Sequence, residues 1–185
     1  AVTLTGLLTG NVANGTVGVD ALTGNVTGGT VTIAHLLTGN VSGGTVSAGS
    51  MTGDVASSVT VSGLLTGAIT AGTNSLGSLS STSVTGGDTT VTGAASVTTF
   101  NGGKLTFAGS TASIGTLTSG NVVLASTTLT VNAGTFAGVI SGANGSLTKA
   151  TNGTLTLNGA NTFGGATTIN AGTLVAASGS LAGTS

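Results

Sequence analysis

Residues 22–41 read LTGNVTGGTVTIAHLLTGNV, and the same five letters open and close the stretch. Leu22, Gly24 and Val26 share one parity, and Thr23 and Asn25 the other. That is the period of two of an extended strand, apolar to one side and polar to the other. Gly28 and Gly29 mark a turn, Val31 and Ile33 form a second apolar set, and Ala34 and His35 lead into the next unit. LTGNV begins at Leu8, Leu22 and Leu37, then becomes MTGDV at Met51 and LTGAI at Leu65, so the steps are 14, 15, 14 and 14. Recurrence at a near-constant step signals a stacked architecture, in which each unit buries its apolar face against its neighbours.

Three stackings suit such a unit. One unit is a complete, flattened coil with two short strands, or two units make a larger coil, or each unit is a hairpin in an antiparallel meander. The recurrence of the same residue types in the same order favours a parallel stack, because it sets like on like. The expectation is an all-β fold, a parallel β-solenoid (β-helix), with short coils of about 14 residues in the N-terminal part, one repeat to a coil. Leu8, Leu22, Leu37, Met51 and Leu65 are then expected to form one buried core row. Asn11, Asn25 and Asn40 occupy the same place in successive units. They are expected to form an asparagine ladder, each amide bonding the next coil, with Asp54 continuing the row and Ala68 ending it.

Farther along, the repeat blurs between residues 73 and 99 into serine, threonine and glycine. From Lys104 a longer spacing takes over: Leu105, Leu129, Leu155 and Leu174 each open a similar strand, and the steps between them are 24, 26 and 19. Longer coils of about 19–26 residues are expected there, again one repeat to a coil. The chain divides into residues 1–79 with the short-period repeats, 80–103 as an irregular continuation, and 104–185 with longer-period repeats. The three read as one continuous solenoid and as a piece of a longer protein.

Residues 146–174 read SLTKATNGTLTLNGANTFGGATTINAGTL. Leu155 and Leu157 alternate with Thr154, Thr156 and Asn158, and Gly159, Gly164, Gly165 and Gly172 punctuate the strands. The succession of SLTK, GTLTL, GANTF, GG and INAGTL resembles the autotransporter-associated β-strand repeat of bacterial exported surface proteins. Ala166 departs from it, standing where that pattern runs directly into threonine. The likeness is close over these residues and looser back to Thr128. It implies a passenger-type β-solenoid in a large exported protein. It implies no reaction.

Composition narrows the function classes. Only 3% of the 185 residues are charged, against about a quarter in ordinary domains. Two lysines cannot build a basic groove, so nucleic acid is not an expected partner. A mean hydropathy of +0.56 opposes a disordered chain. It also opposes a freely soluble monomer, so self-association or continuation by flanking repeats is expected. No apolar run reaches the length of a transmembrane helix. Asp20, Asp54 and Asp88 are dispersed, and His35 has no second histidine or cysteine with which to hold a metal. No catalytic set, cofactor site or metal site is expected. Phe100, Phe107, Phe136 and Phe163 suit core positions, and Lys149, which shares parity with Leu147, is expected to send its amine outward from a strand end.

Composition adds no catalytic set, and the resemblance implies a non-enzymatic stalk or adhesin-type passenger on a bacterial cell surface or outside the cell as the expected function. The alternative is a subunit of a self-assembling extracellular filament or sheath. A lesser alternative is ice binding by the outward row Thr9, Thr23, Thr38, Thr52 and Thr66, a single row where a flat array wants at least two.

Overall fold

A computed structural model describes residues 1–109, 111–177 and 181. Among these the regular structure is strand, and all the strands join one sheet system in which every pairing is parallel. The fold is a β-solenoid, and each LTGNV unit is one complete coil. Leu8 pairs with Leu22, Leu22 with Leu37, Leu37 with Met51, and Met51 with Leu65.

The coil has three sides rather than two. In the coil that begins at Thr30, the strand Thr30–Thr38 supplies the first two sides, with a register break between Ile33 and Leu36 as it turns the corner. The third side is short, a single bridge in which Val12, Val26, Val41, Val55, Ile69 and Val84 stack in turn. One inward apolar residue suffices to hold that side, so its polar neighbours hide it from a reading by alternation alone.

The interior is a set of apolar columns, one rung per coil. Val31, Val46 and Val59 form one, Ile33, Ala48 and Val61 another, and all are buried. The leucine column runs on through Leu79, Ala95, Ala112, Leu129 and Leu147 to Thr167, which makes eleven coils. At about 4.8 Å per coil the rod is about 50 Å long.

The coil lengthens by degrees. Its step is 14 or 15 up to Leu79, then 16, 17, 17, 18 and 20 along the same column. Leu105 therefore pairs with Val122, not with Leu129, which opens the next strand of similar wording. Leu129 lies on another side, between Ala112 and Leu147. Leu155 and Leu174 do share a column, at a step of 19. A wider coil needs more volume inside it, since interiors are close-packed. Phe100, Phe107, Phe136 and Phe163 occur only in these longer coils, and all four are buried. Phe100 follows Val84 in one column and Phe107 follows Val91 in another.

Candidate functional site

The corner between the second and third sides carries the most regular polar geometry. There the backbone amides alternate in direction. Val12 donates forward to the carbonyl of Asn25, and Gly10 forward to that of Thr23. Gly24 and Val26 donate forward in the same way, to Thr38 and Asn40, and the amide between those two, on Asn25, points back toward the preceding coil. The Asn11 side-chain Oδ1 accepts that bond at 2.8 Å. Asn25 Oδ1 accepts from the Asn40 amide at 2.9 Å, Asn40 Oδ1 from the Asp54 amide at 2.8 Å, and Asp54 Oδ1 from the Ala68 amide at 2.8 Å. The bonds run from main-chain N–H to side-chain oxygen rather than from amide to amide. An aspartate can therefore take a rung, and alanine at position 68 ends the series by accepting nothing.

Each rung ties two coils, which suggests a role in holding register. Asn40→Ala is expected to lower stability by about 0.5–1.5 kcal/mol, the net worth of one such bond at an exposed corner. Thermal unfolding of the variant measures this, and an unchanged midpoint would mean that water replaces the side chain without loss.

Beneath the corner lie the core-row residues. Leu22, Leu37, Met51 and Leu65 are buried, and Leu8 is partly buried against them in the first coil. On the outer face beside this row, Thr9, Thr23, Thr38, Thr52 and Thr66 stand in register, exposed. The first side adds two further hydroxyl columns. Thr16, Thr30, Thr45, Ser58 and Thr73 form one; Thr32, Ser47, Thr60, Ser75 and Thr90 form the other. The first of these ends at Asp88, whose carboxylate pairs with Lys104 at 3.2 Å.

Three residues have settings that the sequence alone does not reveal. Lys149 is buried, pointing inward like Leu147, and its Nζ donates to the carbonyls of Thr151 and, at 3.3 Å, Ala171. Its amine thus turns to the backbone of the corner instead of reaching outward. Parity already placed the side chain inside, and the carbonyls of a tight corner are what accept its protons. Asn74 takes a place in the column Val59–Asn74–Thr89 and is buried, bonded to Thr89 Oγ1 at 3.1 Å and to the Val59 amide at 3.3 Å. Asp20 accepts from the Gly6 amide at 2.8 Å. His35 is exposed, and no group of three or more acidic, histidine or cysteine residues among the described residues could hold a metal. No helix among them is long and apolar enough to cross a membrane.

The strands Ser146–Lys149, Thr154–Leu157, Thr162–Phe163, Thr167–Ile169 and Thr173–Ala176 make up the last coils. Residues 147–176 match the family described as passenger-associated-transport-repeat. This is the segment whose wording resembles the autotransporter-associated repeat. The passenger-associated repeat spans about one and a half coils here: Leu147 opens one at a step of 20 to Thr167, and Leu155 another at 19 to Leu174. It is not a separate body, since Lys149 and Ile169 stack above Val131, and Leu155 above Gly134, in columns shared with the coils before it. No curated protein and no solved structure matches the chain.

Proposed function

We propose that this chain is a rigid, non-enzymatic segment of the passenger of an exported bacterial surface protein, serving as an elongated stalk. The observation that carries the reading is the continuity of the passenger-associated repeat with the whole stack. Among the described residues each coil adds length without adding a cleft of converging reactive side chains, which supports a role in spacing and presentation. Antibody to this segment is expected to label intact cells of the source organism, and external protease is expected to abolish the label. Protection of the segment from protease in intact cells would sink the proposal.

A filament subunit is the second reading, supported by the near-absence of charge, 3% of the residues, since faces without charge associate readily. Electron microscopy of the purified chain on standing distinguishes it from the stalk: fibres one coil-width across favour the filament. The hydroxyl columns of the first side support ice binding, with neutral groups about 4.8 Å apart between coils and about 6.6 Å apart along each strand. Thermal hysteresis that disappears in Thr32→Lys would support that reading, and its absence in the native chain would end it.

A further inference from the structure

The second side of the coil carries an outward column just before each core leucine. From the first coil it runs Leu7, Ala21, Leu36, Ser50, Leu64, Ser78. Large and small residues alternate. Leu7, Leu36 and Leu64 are 63%, 42% and 45% exposed, and the other exposed large hydrophobics lie in the first and last coils. Single exposed leucines are ordinary on a protein surface. Here three stand in one line two coils apart, with a small residue in each gap.

The same column then changes character. After Ser78 come Ala94, Thr111, Thr128, Ser146 and Ala166, with no large side chain. Below it the inward row also shrinks, from Leu65 and Leu79 to Ala95 and Ala112. The side sinks there into a groove of about 440 Å³, walled by Leu64, Ala94, Ala95, Thr111 and Ala112. One half of the face is thus a ridge of leucines, and the other half carries only small outward residues, with its trough over Ala95 and Ala112. The half-turn point is near Ser78, with five coils before it and five after.

We propose that this side is a self-pairing face, on which two copies of the chain pack antiparallel, the leucine ridge of each in the trough of the other. A two-fold arrangement uses the same patch on both copies, so a face with complementary halves satisfies it. With the axis at Ser78, Leu64 of one copy meets Ala94 of the other, Leu36 meets Thr128, and Leu7 meets Ala166. Parallel packing in register would set leucine on leucine. Of the five charged residues, Asp54, Asp88 and Lys104 lie outside this column and Lys149 is turned inward, while Asp20, one residue before Ala21, already accepts the Gly6 amide. A face about 50 Å long and about 10 Å wide buries on the order of 1,000 Å² over both copies, the lower bound for a specific interface. The pairing is lateral, so it is independent of how the ends are continued and of whether the segment is exported.

Sedimentation of the full chain across concentration tests the pairing. The expected result is a monomer–dimer equilibrium, weakened at least tenfold by Leu36→Ser with Leu64→Ser, and also by Ala94→Trp, which fills the trough from the other side. Both leucines are exposed, so circular dichroism and the melting midpoint of that double variant should match those of the native chain. The chain has no cysteine, which permits an orientation test. Leu64→Cys mixed with Ala94→Cys should form a mixed disulfide under mild oxidation in preference to either variant with itself. A native chain that remains monomeric at high concentration overturns the proposal. So does a dimer that ignores the substitutions, or a Leu64→Cys chain that cross-links best to itself.

Discussion

Leu37→Asp is expected to lower the melting midpoint by roughly 10 °C or more, while the neighbouring Thr38→Asp changes it little. Leu37 is wholly buried, between Leu22 and Met51 in its column. Substitution removes an apolar side chain from two interfaces and places a carboxyl group where no donor faces it. Whether that group stays charged or takes up a proton, burial without a partner ranks among the costliest single changes, at about 4 kcal/mol or more. Thr38 lies one residue on and is exposed on the outer face, so a carboxylate there remains in water. Because each coil touches only its neighbours, the damage should be local, and hydrogen exchange should rise first in the coils from Leu22 to Met51. Equal loss from the two substitutions would mean that the inward and outward registers have been exchanged.

The register of the short coils is legible because it is redundant. Leu22, Val26, Val31 and Ile33 each recur one coil later as the same or a similar residue, so a single step aligns every column at once. That redundancy fails in the longer coils. Leu105 and Leu129 begin nearly identical words, KLTF and TLTV, yet line different sides. An apolar residue flanked by threonines satisfies any inward position of a β-coil, so likeness of wording does not determine which side it lines. The count of residues around each corner does, and that count drifts from 14 to 20 per coil. The third side was concealed for a related reason, since it shows only one inward residue per turn. The pairs Leu7-Leu8, Leu36-Leu37 and Leu64-Leu65 did contain a readable sign of the leucine ridge. In a strand with a period of two, one member of each pair must face outward. Lys149 shows the limit of parity: it places the side chain inside, but the carbonyls of Thr151 and Ala171 that receive the amine are brought there by the corner and by the next coil.

Gly39→Ala is expected to cost at least about 3 kcal/mol, although it adds a single methyl group at the surface corner. Two effects combine. Gly39 has φ of +149°, a backbone conformation that an L side chain rarely adopts. A Cβ built there would also fall well inside van der Waals contact with the carbonyl oxygen of Gly24 in the preceding coil. Neither group is a flexible side-chain end, so relief requires the two coils to separate or the corner to rotate. Either movement strains the bond from the Gly39 amide to the Thr52 carbonyl and the neighbouring bond from the Asn40 amide to Asn25 Oδ1, both 2.9 Å long. Gly18→Thr is the contrasting substitution. Gly18 has no positive φ, and a Cβ there would meet only Thr3, at an ordinary 3.9 Å. It continues the outward column of Thr32, Ser47 and Thr60, where a β-branched residue suits an extended strand. Gly18→Thr should leave stability unchanged or raise it by about 0.5 kcal/mol through the unfolded chain. Thermal unfolding of the two variants side by side decides the matter. If Gly39→Ala melts with the native chain, the corner yields to a methyl group and close coil-to-coil contact is not what demands glycine there.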